Sequence, residues 1–458
     1  MKSTNYSMDM TSGALLPKIL LFSVPLMLSG VLQLLFNAAD IVVAGQFSAS
    51  GTLAIAAIGS TTSLINLLIS LFVGMSAGVN VLTARYYAAG QEKDLKETVH
   101  TAIALSLVGG ILLAAAGVFL CRHILLLMGS PDDVIDLSAA YLRIYFAGMP
   151  MTLLYNFGNA IHQAVGDTRK PLYFLTTAGI INVLLNLFFV IVLKMDVAGV
   201  ALATILSQTV SAVLITRDLV VTDDVYHLDL KQVSLKPEKV RRILQFGIPA
   251  GLQGVVFSIS NVLIQSSVNS FGSVVMAGNA ASANLEGFVY ISMTAIYQAC
   301  LSFTSQNYGA RRYDRLGRVL WTCMGTVAVV GLILGNLFYF LGPWLLRIYS
   351  SDAQTIAYAL LRMRYICVPY FLGGLMDTAC GGVRGMGHSM VPMVVSLVGC
   401  CLFRVIWIMT VFSHFRSLEA LYISYPITWL ITMTVHVMCY YAIKRKLVSP
   451  RDIPTAAV

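Results

Sequence analysis

The chain says the same thing twice. Phe22-Ser23-Val24-Pro25 opens an apolar run that passes Asn37 and Phe47, and Phe246-Gly247-Ile248-Pro249 opens another with Asn261 and Phe271 at the same offsets from its proline. Tyr87-Ala88-Ala89 before Leu95 is answered by Tyr308-Gly309-Ala310 before Leu316, and Leu142-Arg143 with Pro150 by Leu361-Arg362 with Pro369. Gly166-Asp167-Thr168-Arg169-Lys170-Pro171 corresponds to Gly387-His388-Ser389-Met390-Val391-Pro392. One unit has been used twice, so whatever the first half folds into, the second half folds into as well. A duplicated apolar bundle with a polar centre is the plan of many secondary transporters.

The repeated unit is built for a bilayer. Hydrophobic residues make up 57% of the chain and charged residues only 11%, and the mean hydropathy is +0.79. A soluble domain carries about 25% charged residues, so helices of this composition lack the polar faces that water requires. Apolar runs of about 20 residues or more, enough to cross a membrane, recur near 17–41, 53–82, 98–121, 137–161, 171–193 and 197–216, then near 243–268, 279–304, 319–342, 353–380, 389–412 and 418–442. The expected fold is therefore an all-α integral membrane protein, with twelve transmembrane helices in two pseudo-symmetric six-helix bundles. The expected boundaries are 1–216 for the first bundle, 217–242 for a linker ending in a short amphipathic helix, 243–446 for the second bundle and 447–458 for a tail.

The net charge of +9 does not imply nucleic acid, because its distribution is topological. With the N-terminus inside, Lys18, Arg85, Arg169, Lys170, Arg241, Arg242, Arg311, Arg312, Arg315, Lys444, Arg445 and Lys446 fall on the cytoplasmic side. Arg122, Lys194, Arg347 and Arg416 fall opposite. This asymmetry follows the positive-inside rule and places both termini in the cytoplasm of a multi-pass cell-membrane protein. The eight cysteines form no C-x-x-C pair and read as small apolar residues. No nucleotide-binding loop, haem motif or H-E-x-x-H metal motif is present, so no cofactor, enzyme activity or obligatory protein partner is expected. Transport would draw on an ion gradient or run downhill.

All but three of the 21 acidic residues lie at helix ends or in loops, the exceptions being Asp40, Glu286 and Asp377. A charge at the centre of a membrane helix costs about 2.5–3.5 kcal/mol, so each demands a reason. Asp40, with Asn37 one turn before it, is placed to hold a proton or a sodium ion, or else faces external water at a helix end. Glu286, near the outer end of its helix, is either functional or a wetted rim carboxylate. Asp377 is either functional or paired with Arg384 or Arg404. Asn182 and Asn186 share one face of the fifth helix, and the sixth offers Thr204. Such amides either glue helices together or complete an ion site. Pro25 and Pro249 are either bending points or first-turn prolines of little cost.

The helix-one pattern Pro25, Gln33, Asn37-Ala38-Ala39-Asp40 and Val43-Ala44-Gly45, with the glycine-rich motifs after helices four and ten, resembles the multidrug and toxic compound extrusion (MATE) transporters over about Leu15–Lys446. The resemblance implies export of amphipathic, often cationic, small molecules from the bilayer in exchange for protons or sodium ions. In the DinF-like branch it resembles most, the cation site maps onto Asp40, Asn182, Asn186 and Thr204, with Pro25 as the bending point. Two positions depart from the family. Asn186 stands where an aspartate is usual, and Phe257 stands where other branches carry a glutamate, which leaves Glu286 and Asp377 as the acids of the second bundle. Gln33, Asn37, Tyr155, Asn156, Gln253 and Gln298 are candidate cavity residues. A lipid-linked or metabolite cargo is the alternative within the broader superfamily. A membrane enzyme would need clustered His, Asp or Glu, which this chain lacks.

Overall fold

The computed structural model describes residues 6–48, 50–127 and 132–447. The 448–458 part of the expected tail lies outside them. The described residues are almost wholly helical and contain no strand. Twelve rods follow one another. In the first half they are α1 (Leu15–Phe47), α2 (Thr52–Ala88), α3 (Glu92–Leu127), α4 (Asp132–Ala147 and Met149–Ala164), α5 (Arg169–Val192) and α6 (Asp196–Val221). The second half comprises α7 (Pro237–Asn269), α8 (Ser273–Gly309), α9 (Tyr313–Ile348), α10 (Ala353–Gly385), α11 (Met390–Phe412) and α12 (Leu418–Leu447).

The duplication is visible in the irregularities. α4 breaks at Gly148, just before Met149-Pro150, and α10 is interrupted by a 3-10 turn at Val368–Tyr370 around Pro369. A proline has no N–H for the helix ladder and crowds the preceding turn, so the two equivalent prolines leave equivalent breaks. The fifth rod of each half also contains π-helical turns, Phe188–Val192 in α5 and Leu397–Leu402 with Ile408–Phe412 in α11. Within its own bundle, α4 packs on α2, α3 and α6, and α10 packs on α8, α9 and α12. The broken rods are thus the central ones.

Among the described residues, ten rods are long and apolar enough to cross a membrane on their own composition. The other two are α4, whose pieces have 16 residues each, and α8. α8 runs for 37 residues but carries buried polar groups such as Asn279, Ser282, Glu286, Ser302, Thr304, Ser305 and Gln306. A helix sheltered by neighbours can carry such groups because its partners, not lipid, satisfy them.

The rods extend beyond the apolar cores read from sequence. α7 starts at Pro237 and runs unbroken past Pro249. What reads as a separate amphipathic helix ending the linker is therefore the first turns of α7, opened by Pro237 and Glu238 at positions that favour a helix start. Tyr226 and Leu228 of the linker are buried in the first bundle, and Lys239 pairs with Asp94. Pro25 and Pro249 both lie well inside their helices, which rules out the first-turn reading. Each removes one hydrogen bond from the ladder.

The chain divides into two compact units, one of 1–9 and 24–255 and the other of 10–23 and 256–458. The divisions fall inside α1, beside Pro25, and inside α7, six residues after Pro249, rather than at the linker. In the first unit, α7 crosses α2 at backbone contact. A Cβ on Gly74 would lie 2.2 Å from the Gly251 nitrogen, and one on Gly78 would lie 2.4 Å from the Ile243 carbonyl oxygen. Backbone cannot move aside as a side-chain tip can. Replacing Gly74 or Gly251 by valine is expected to cost at least the ~1–3 kcal/mol of ordinary overpacking, read as a lowered thermal midpoint in detergent. Gly109, with open space around it, should accept alanine without loss.

Candidate functional site

The site begins with a glycine. Gly179 of α5 faces the ring of Phe36 of α1, and a Cβ there would fall 1.8 Å from that ring. This gap lets α1 lie close against α5 one turn before Asn182. Four residues beyond Phe36 comes Asp40, and seven beyond Gly179 comes Asn186, so the close approach carries through to the polar pair.

Asn186 Nδ2 donates to Asp40 Oδ1 and also, at 3.3 Å, to Asn182 Oδ1. Thr204 Oγ1 lies 3.4 Å from Asp40 Oδ2. It also lies 2.9 Å from the Val200 carbonyl oxygen, which is the better acceptor for its single proton. Asn182 and Asn186 are buried and Asp40 is half-buried. The Asn186 side-chain oxygen is buried with no hydrogen-bond partner. Five side-chain oxygens from α1, α5 and α6 therefore meet in one place, and among the described residues no arginine or lysine forms a salt bridge there. The π-helical turn of α5 starts two residues after Asn186. Such turns recur at functional sites because they re-aim the residues beside them. Tyr141 and Tyr145 of α4 stack at 6.2 Å and lie within electrostatic range of Asp40. Sequence reasoning missed them, although the i, i+4 spacing of two tyrosines on an apolar helix was available as a signal.

The other candidates fall elsewhere. Asn37 is exposed and makes no hydrogen bond to Asp40. Tyr155 is buried in the core of the first bundle, its hydroxyl 3.5 Å from the Pro171 carbonyl oxygen. Asn156 donates to Thr152 O within its own helix, at 2.8 Å. Gln33 is exposed, Gln298 half-buried and Gln253 buried.

Glu286 is not a wetted rim carboxylate. It is buried and held by Arg362 in a two-pronged pair, Nε to Oε1 at 2.9 Å and Nη2 to Oε2 at 2.8 Å. Ser282 Oγ adds a bond at 3.0 Å, and Arg362 also reaches Asn279. Asp377 forms no salt bridge among the described residues, but Arg384, one of its two expected partners, lies within electrostatic range of it. Arg384 donates to the Tyr297 hydroxyl, and Arg404 bonds Thr428 Oγ1 at 3.2 Å and sits 4.2 Å from the centre of the Tyr425 ring. Among the described residues, no group of three His, Cys, Asp or Glu side chains could hold a metal ion. All eight cysteines are free, seven of them buried.

The family model MatE matches residues 25–188 and again residues 249–410, one match per half of the duplication. The chain belongs to the MatE family. It is 27% identical over 427 residues to a probable multidrug resistance protein of Bacillus subtilis, YoeA, covering 90% of each chain. It is also 23% identical to a protein of Shewanella oneidensis named as an FAD transporter, covering 91% of this chain and 92% of that one. A solved outward-facing conformation of a multidrug resistance MATE family transporter of the MOP superfamily superposes with a TM-score of 0.89, at 20% identity, over 97% of this chain and 99% of that one. The protein is thus a multi-pass membrane protein of the MATE multidrug efflux transporter family.

Within this MATE bundle the Glu286–Arg362 pair has the geometry of a strut. Glu286→Gln leaves a buried guanidinium without its counter-charge, which typically costs about 3–5 kcal/mol. The thermal midpoint in detergent should fall strongly for Glu286→Gln, and should recover in part when Arg362→Gln is added.

Proposed function

We propose that this protein is a secondary active transporter that exports amphipathic, cationic small molecules by antiport against protons or sodium ions, with Asp40 as the carboxylate that carries the coupling ion. The observation that carries the reading is the company Asp40 keeps. A carboxylate within the membrane region is served by one amide donor and by a hydroxyl whose proton is better placed elsewhere, and no fixed cation balances it. The orphaned Asn186 oxygen and the Asn182 and Thr204 oxygens are the hard donors that suit a small alkali cation. A proton on Asp40 satisfies the same need for neutrality.

In this scheme the empty site opens to the outside and takes up a cation. Loading removes the charge that keeps Asp40 hydrated, α1 rebends near Pro25, and the cargo leaves. Return to the inside unloads the cation and accepts the next cargo. Pro249 serves as the matching bending point of α7, and Asp377, with Arg384 in electrostatic range, is the second acid of the second bundle. Both termini lie in the cytoplasm, as the charge asymmetry implies. A membrane potential contributes about 2.3 kcal/mol per charge per 100 mV, enough for a concentration gradient of tenfold or more.

The FAD transporter among the relatives favours one second reading, a metabolite cargo. Proteoliposomes separate these readings when pH and sodium gradients are imposed one at a time against cationic dyes and flavin nucleotides. Export of dyes under one gradient is expected, and Asp40→Asn should abolish it without lowering the thermal midpoint. Full ion-driven efflux by Asp40→Asn would remove Asp40 from the mechanism. Efflux of flavin nucleotides alone would support the metabolite cargo.

A further inference from the structure

Arg315, in the first turn of α9, is buried with 7% of its surface exposed. Its Nη2 donates to the carbonyl oxygens of Ser12 at 3.3 Å and Gly13 at 3.0 Å, while its Nε is buried with no hydrogen-bond partner. No carboxylate among the described residues forms a salt bridge with it. The acid beside it in the chain, Asp314, is engaged by Arg312 at 3.3 Å and Arg318 at 3.5 Å. A buried guanidinium costs several kcal/mol to desolvate, and two carbonyl dipoles offset only part of that. Its charge is therefore met by backbone dipoles alone among the described residues.

A cavity of about 600 Å³ opens beside this guanidinium, lined by Gly13 and Ala14, the first residues of α1 from Leu15 to Pro17, Arg315, Arg318, Trp321 and Thr322. The first turn of α1 contributes backbone N–H groups that have no partner within the helix and a favourable dipole for negative charge. Lys444 of α12 brings its ammonium against Gly317, 2.9 Å from where a Cβ would sit, and forms no salt bridge among the described residues. Trp321, 54% exposed, donates from Nε1 to the Tyr441 hydroxyl at 2.6 Å. Tryptophan and tyrosine with their polar atoms joined are the side chains that settle at the membrane–water boundary.

We propose that this cavity binds a phosphate-bearing anion, held by the fork of Arg315 with Arg318 and Lys444 around it. Arginine matches phosphate oxygens two at a time, and Lys444 adds a point charge. Two sources carry this group at a membrane surface: the headgroup of an anionic phospholipid and a soluble phosphate ester. The apolar part of the lining, Leu16, Pro17 and Trp321, suits the glycerol and upper chains of a lipid.

The test uses the full chain. Native mass spectrometry and thermal midpoints would be measured with phosphatidylglycerol, with phosphatidylcholine and with glycerol 3-phosphate in micelles. Phosphatidylglycerol should be retained and should raise the midpoint, and phosphatidylcholine should do neither. The double variant Arg318→Gln/Lys444→Gln, at positions outside the core, should weaken the retention about tenfold or more. Arg315→Lys, which keeps the charge but loses the fork, should weaken it as well. Protection by glycerol 3-phosphate that the double variant abolishes would assign the site to the soluble source. Equal retention of both lipids with no protection by glycerol 3-phosphate would overturn the proposal. So would a phosphatidylglycerol preference that the double variant leaves unchanged.

Discussion

A carboxylate drawn out of water must be answered by something, and this protein answers two of the acids within its helices in opposite ways. Glu286 is met by a guanidinium through two short bonds. Its charge is balanced inside the bundle, and the pair has no need of anything else. Asp40 is met by an amide and a hydroxyl, dipoles that orient it without neutralising it. The first arrangement fixes geometry. The second leaves a charge for a mobile cation to balance, which is the physical content of the proposed coupling site.

That difference depends on packing that brings rods close at chosen levels. Gly179 lets Phe36 enter α5 and so sets Asp40 beside Asn186, while Gly74 and Gly251 bring α2 and α7 to backbone contact. The breaks at Gly148 and Val368–Tyr370 sit in the rods at the centre of each bundle. The boundaries of the compact units fall beside Pro25 and shortly after Pro249, inside helices rather than between them. Each of these two helices also lacks one backbone hydrogen bond near its division, because of its proline.

Much of this was legible in the chain. The duplication, the membrane class and the equivalence of Pro150 with Pro369 follow from offsets and composition alone. Asn182 and Asn186 could be placed on one face because helical spacing is short-range and regular. Contacts between rods were not legible, because they depend on azimuth and depth. Arg362 lies 76 residues from Glu286, and nothing in either local pattern joins them, so Glu286 read as a possible wetted acid. The same limit hid that Arg384, in electrostatic range of Asp377, also engages Tyr297, and that Arg404 engages Thr428. The start of α7 was misread for a different reason. Its first turns are charged where the rest is apolar, so hydropathy marked a boundary where the backbone has none.

The central claim is that Asp40 exchanges small cations, and infrared difference spectroscopy of the carboxyl stretch tests it most directly. On acidification without sodium, the protein should gain the band of a protonated buried carboxyl. Added sodium should displace that proton if the two ions compete, and the band should be missing from Asp40→Asn. A band that persists in Asp40→Asn, or no protonation and no sodium response at all in the unaltered protein, would contradict the account.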